Sequence, residues 1–426
     1  MITEAAILIA VLLVVVTLVV PQRYMFVPYG IAICFVPTDQ RIVIATLDFT
    51  ILRILILVGV LRILFWGEQR VIKWNSFDKV VLAWALCGAL VYVIQRPDTK
   101  ALVYKCGVLY NIIGLYWLFR QTIRSWENIQ FIIKVLAVCI LILTPLIALE
   151  WVTGQNPFVV IGTVVTQLRD GRFRCQASFP ISIVMGVFWA TLVPLFVGMA
   201  RMDKNKILYA AATLLSIFFV ISSASSTPLV TLFFGLFAVS AFKLRHYARP
   251  LTQMFFLSLV ALHFIMEAPV WHLISRVKIY GASTGWHRFN LINQAIKHFG
   301  EWWLVGTSST AHWDAYRRLT DVTSQYILEG VHGGIATLGL FIVMLAMAFK
   351  TLACHFQWNR NPRHQLLAWC LSASLATHCV AFLALSYFGG QIGALWYLLL
   401  AMIGFLMEEK EQAKITIYKS SLFPSQ

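Results

Sequence analysis

The chain has 426 residues, of which 60% are hydrophobic and only 12% charged, about half the charged fraction of an ordinary soluble domain. With a mean hydropathy of +0.78, this composition excludes a water-soluble fold. Lys and Arg number 34 against 18 acids, a net charge of +16, but the basic residues punctuate apolar runs, so the expected counter-charge is an anionic membrane leaflet and not nucleic acid.

The pattern predicts an all-α polytopic membrane protein. Apolar runs that can cross about 30 Å of hydrocarbon, or come close to it, occupy 2–20, 25–36, 42–66, 80–94, 101–119, 131–150, 181–200, 207–221, 229–242, 251–266, 334–353, 366–387 and 393–407. That is roughly 12 or 13 transmembrane helices. The first run lacks a basic leader and Pro21 with Gln22 makes a poor cleavage site, so it is expected to be a retained span. The 25–36 run is short and bounded by Pro21, Pro28 and Pro37, which allows a re-entrant segment as well as a span.

Lys/Arg bias in short connectors sets orientation. Arg70 with Lys73, Arg120 with Arg124, Arg201 with Lys204, Arg245 with Arg249, and Arg360 with Arg363 alternate consistently as cytoplasmic connectors. Two large loops then fall on the opposite side. The resulting organisation is N-terminal helices in 1–150, a first periplasmic loop in 151–180, central helices in 181–267, a large periplasmic loop with an amphipathic helix in 268–333, C-terminal helices in 334–407 and a cytoplasmic tail in 408–426. Long loops among short connectors usually carry function. There is no internal repeat, which weighs against an inverted-repeat transporter. Seven of the 8 cysteines lie in or beside apolar segments and Cys175 in a polar loop, so no disulfide framework or zinc spacing follows.

The first large loop ends with Arg169, Arg172 and Arg174 ahead of Ser178, Phe179 and Pro180. Guanidinium groups grip phosphate oxygens in pairs and stay charged when partly desolvated; a solvated surface or a lipid-headgroup contact is the alternative. In the second loop Phe289, Ile292, Ile296 and Phe299 recur at helical spacing, predicting an interfacial amphipathic helix with His287 and Arg288 at its flank. Trp302 and Trp303 fit an aromatic belt. Further on, Asp321, Gln325 and Glu329 stand where the chain enters a span. Either acid could accept a proton if burial raised its pKa, or could simply serve the helix N-terminus. His287, His298, His312 and His332 show no short metal-ligand spacing, so no metal site is expected. Asp48, Arg53 and Arg62 in one run and Lys105 in another either line a cavity or pair with each other.

The stretch TGWHRFNLINQAIKHFGEWWLVGTSS followed by TDVTSQYILEGVHGGIATLGLFI resembles the bacterial O-antigen ligase and polysaccharide polymerase superfamily. An Arg-bearing helix, a turn and a polar helix start occur there in the same order. The earlier GRFRCQASFP and EWVTGQNP are similar to the family's segments in the preceding loop. The resemblance implies an inner-membrane glycosyltransferase that takes an undecaprenyl diphosphate-linked glycan as donor at the periplasmic face, with a lipid-linked glycan or lipid A core as acceptor. It implies no nucleotide, metal or other cofactor. Arg174 and Arg288 match the family's two arginine positions and would hold the donor diphosphate, with Arg172 beside them; Gln325, His287 and Glu329 are further candidate substrate contacts. Thr323 and Ser324 stand where ligases carry His-Asn, and a threonine hydroxyl cannot act as a general base at its ordinary pKa. This departure favours the polymerase or exopolysaccharide branch and leaves Asp321 as the substitute candidate base. A flippase or a noncatalytic assembly factor are the competing readings; a flippase would line its spans with charge.

Overall fold

The computed structural model describes residues 2–44, 47–162, 164–276, 284–314, 319–386 and 389–422. Every apolar run carries a helix: α1 (Glu4–Val19), α2 (Phe26–Phe35), α3 (Ile51–Phe65), α4 (Ser76–Gln95), α5 (Thr99–Thr122), α6 (Trp126–Thr153), α7 (Ser182–Met202), α8 (Lys206–Ser222), α9 (Ser226–Ser240) and α10 (Ala248–Ile265). Then come α11 (Leu273–Arg276), α12 (Thr284–Lys297), α13 (Phe299–Trp302), α14 (Gln325–Trp358), α15 (Pro362–Phe382) and α16 (Gly390–Leu422). Among the described residues, eight helical stretches are long and apolar enough to cross a membrane, and α1 and α8 are apolar but shorter. The chain is an all-α polytopic membrane protein.

Local chemistry sets the helix limits. Asn75 and Asp78 form a reciprocal capping box that starts α4, Asp98 caps α5 and Ser125 caps α6. Gly154, at φ 70°, ends α6 in the left-handed conformation. Pro145 and Pro194 lie inside α6 and α7, which neighbouring helices make tolerable in lipid.

The only sheet among the described residues is two short hairpins. One, β1 (Arg41–Ile44) against β2 (Leu47–Thr50), occupies the start of the 42–66 run, so that run is not helical throughout. Its β-branched residues favour an extended backbone, and the helix begins at Ile51 under a Thr50 cap. The other pairs β3 (Gln167–Arg169) with β4 (Arg172–Arg174) through Asp170 and Gly171, both left-handed at φ 53° and 72°, as a two-residue Asp-Gly hairpin turn requires.

The core centres on α7, which packs on α8, α9 and α15, and on α16, which packs on α5 and α14. By contrast no residue of α10 is fully buried, and its main contacts are with the turns that flank it.

The two ends of the bundle differ in content. At the first, the connector bearing Arg70 and the last turn of α5, with Arg120, meet the C-terminal half of α16. Arg120 bonds Asp78 at 3.0 Å and Glu408 at 3.1 Å, and Arg70 bonds the other Glu408 oxygen at 2.5 Å. Trp126 stacks on His364 with centroids 4.2 Å apart, which brings the connector before α15 to the same end. Both long loops lie at the opposite end. Ser178 Oγ donates to the Cys34 carbonyl, Thr3 Oγ1 to that of Ile161, Arg96 to that of Ser308 and Ser324 Oγ to that of Phe382.

One expectation for the second loop is corrected. Helix α12 buries Asn290, Leu291 and Ala295; of the apolar stripe read from spacing, Phe289 and Ile292 are half-buried, while Ile296 and, in α13, Phe299 are exposed. Trp302 is not in a belt. It is buried with Trp313, Leu319 and Val331 and donates to the Ala295 carbonyl at 2.7 Å. Trp303 is exposed. Residues 277–283 and 315–318 of this loop lie outside the described residues.

Candidate functional site

Helix α14 is broken. Gly334 takes φ 66° and ψ −173° between two helical halves, and a Cβ there would meet the Leu304 carbonyl oxygen at 2.3 Å. Only glycine suits both the conformation and the close approach. The break lets the main chain of 303–307 dock on the helix: Ile335 N–H donates to Trp303 O at 2.7 Å and Thr307 N–H to Val331 O at 2.8 Å. Irregular backbone at such depth is tolerated where it borders a cavity.

A cavity of about 480 Å³ opens beside this half-helix at the loop end, walled by β1–β2, α2, the first turns of α3, α4, α5, α14 and the start of α16. Its polar lining includes Arg53, Lys105, Asn111, Gln325, Glu329 and His332. The Glu329 carboxylate is buried and accepts hydrogen bonds from Trp84 Nε1 at 2.9 Å and Gln325 Nε2 at 2.8 Å, on different oxygens. The Lys105 ammonium stands 4.2 Å from the centroid of the Tyr92 ring, a cation–π contact, and His332 packs edge-on to the same ring at 5.1 Å. Arg53 donates to Asn111 Oδ1 at 3.1 Å and to the Asp48 carbonyl.

The question of the intramembrane charges resolves residue by residue. Asp48, Arg53 and Lys105 line the cavity. Arg62 instead pairs bidentately with Glu68, at 3.1 and 2.8 Å.

Arg174 and Arg288, 114 positions apart in sequence, converge on the start of one helix. Arg174 Nη2 donates to Ser225 Oγ at 2.6 Å, and Arg288 Nη2 donates to Thr227 Oγ1 at 2.6 Å. Ser225 is the residue before α9 and Thr227 its second, and the Ser225 hydroxyl donates to Ser223 O without capping the helix. Uncapped N–H groups and the helix dipole make this end positive. Two guanidinium groups beside it form an anion-attracting cluster. Among the described residues neither arginine has a carboxylate within ion-pair distance, and Arg174 Nε is buried without a partner. Burial pushes both guanidinium pKa values down, with repulsion from Arg169 adding to it at Arg174. An anion would relieve both effects.

The backbone here is held against strain. Ala177 and Ala224 sit in the left-handed region at φ 51° and 44°, a conformation that costs an L-residue energy and clusters at functional sites. Buried Glu150 fixes the first of these turns by accepting from the Gln176 and Ala177 N–H groups at 3.0 and 2.9 Å and from Thr166 Oγ1 at 2.7 Å. Cavity-lining Gln391 donates to Ser178 O at 2.8 Å and Val36 O at 3.2 Å. That bond ties the wall of the cavity to the segment that carries Arg174.

The other candidates separate. Glu329 and Gln325 are in the cavity and bonded to each other; Asp321 is exposed and outside its lining. Arg172 is exposed on β4, and His287 is half-buried on α12 next to Arg288. Thr323 Oγ1 is buried without a partner. Sequence reading missed Trp84, Tyr92 and Gln391, which carry no signal of their own. Lys105, a lone cation in an apolar run, did carry one. No protein-family model and no curated protein matches this chain.

Proposed function

We propose that the protein is a glycosyltransferase of the polysaccharide polymerase or ligase type, which takes a glycan from a lipid-linked diphosphate donor, such as undecaprenyl diphosphate, at the outer face of the bacterial inner membrane. The observation that carries this reading is the meeting of Arg174 and Arg288 at the uncapped start of α9. Both arginines hold the donor diphosphate and stabilise the charge it gains on leaving. Glu329 is the better placed base, because its carboxylate is buried in the cavity lining and oriented by Trp84 and Gln325, whereas Asp48, the other acid of the lining, pairs with Arg41. It takes the proton of an acceptor hydroxyl, on a lipid-linked glycan or lipid A core, as that oxygen attacks the anomeric carbon. The bond from that carbon to the diphosphate oxygen breaks, its electron pair stays on the diphosphate, and the configuration inverts. The α16 tail is cytoplasmic in this orientation.

Arg174→Ala and Arg288→Ala, each expressed in the source strain after deletion of the native copy, test the reading. The expected result is loss of polymer and accumulation of unpolymerised lipid-linked units on the outer leaflet. Wild-type polymer length and yield in both variants would sink it. One observation favours a second reading: Arg41, Arg53 and Lys105 stand in the cavity lining with Asp48 and Glu329, and charge lining a cavity is what a lipid-linked glycan flippase requires. Accumulation on the cytoplasmic leaflet decides for that alternative.

A further inference from the structure

The sequence spacing of the histidines gave no reason to expect a metal, but folding removes that objection for two of them. His298 follows α12, Glu301 lies one helical turn on in α13, and His312 returns from the turn at Ala311–Trp313. His298 Nδ1 stands 2.7 Å from one Glu301 oxygen and His312 Nε2 stands 2.8 Å from the other. One ligand atom from each residue can be chosen so that all lie within 4.8 Å of one another. We propose that His298, Glu301 and His312 bind a divalent transition-metal ion of the zinc type at the loop end of the protein.

Three features beyond proximity support this site. Its donors are two imidazoles and one carboxylate, a set that zinc takes with a fourth position left to water. Two of the three are already oriented by outer groups: the His298 ring stacks on Trp313 at 5.5 Å and 8°, and Trp313 Nε1 donates to Glu301 at 3.0 Å. Such outer-shell contacts fix ring and carboxylate direction at metal centres. Trp313 is itself buried with Ala295 and Trp302, so the scaffold under the ligands is packed. His312 and Glu301 are exposed, which gives the ion access from water.

A metal here would clip the C-terminal end of α12, the helix that carries Arg288, to the 311–313 turn. The inference does not depend on the glycosyl-transfer reading, because metal binding is measured directly.

The test uses the full chain in detergent, stripped with chelator and then titrated with zinc chloride in a calorimeter. One Zn²⁺ per chain is expected, with affinity falling by more than about tenfold in His312→Ala and in Glu301→Gln. Zn²⁺ should raise the unfolding temperature of the wild type and not that of His312→Ala, whose exposed side chain leaves the metal-free fold intact. Absence of stoichiometric binding in the wild type overturns the site. So does zinc binding that both variants retain unchanged, since that is adventitious metal.

Discussion

The two ends of this bundle handle buried charge in opposite ways. At the basic end, Arg120, Asp78, Glu408 and Arg70 form an ion-paired network, with Tyr116 also donating to Asp78 and only Arg120 Nη1 left without a partner among its atoms. At the loop end Arg53, Lys105, Arg174 and Arg288 have no carboxylate within ion-pair distance among the described residues, and they meet hydroxyls, amides, carbonyls and an aromatic ring instead. A buried charge is costly unless something neutralises it. Where the protein supplies the counter-charge, the group serves the fold. Where it does not, the proposed function has an anionic ligand supply it.

Substitutions at the two ends should therefore fail differently. The largest effect is expected for Glu329→Gln, which keeps shape but removes the proton acceptor: transfer should fall by about a hundred- to ten-thousand-fold with the unfolding temperature unchanged. Assay of purified protein with a lipid-linked donor checks this, beside Asp321→Asn, which should stay near the wild-type rate. If Asp321→Asn is the inactive one, the base lies outside the cavity and the contrast fails.

At the other end, Arg120→Ala removes the guanidinium shared by two buried carboxylates, leaving Asp78 without a cation and Glu408 with Arg70 alone, and should cost about 3–5 kcal/mol of stability. Thermal unfolding in detergent measures it, and the surviving folded fraction should turn over at the wild-type rate per molecule. Arg120→Ala with unaltered stability would show that the network is not what holds this end. Smaller again is Gly334→Ala, where a left-handed alanine and its contact with Leu304 O should cost about 1–3 kcal/mol. Because the break borders the cavity, this variant should lose rate as well as stability. A loss of stability alone would assign the break to folding only.

Much of this contrast was legible beforehand. Helices followed from hydropathy because lipid forces each spanning backbone to satisfy itself, and the grouping of basic connectors away from the long loops followed from their alternation. The Asp170-Gly171 hairpin had a signal in its dipeptide that was not used. Arg174 and Arg288 could be named, but their shared anchorage on α9 joins segments with no pattern in common. Glu329 was legible only as an acid near a helix start; its place in the cavity depends on Trp84, from a helix far away in sequence. The α12 stripe was legible as an apolar face, but spacing does not say which neighbour such a face meets. The His298 and His312 pairing likewise belongs to tertiary structure.

Helix α10, with no residue buried against the rest of the protein, has a separate consequence. It stands in the chain between α9, whose start receives both arginines, and the loop that delivers Arg288. With so little packing on the other helices, its tilt and depth are expected to answer to bilayer thickness more than to side-chain packing. The membrane's composition thereby enters the geometry of the protein directly, and reconstitution in lipids of graded chain length is the condition under which its working shape should be sought.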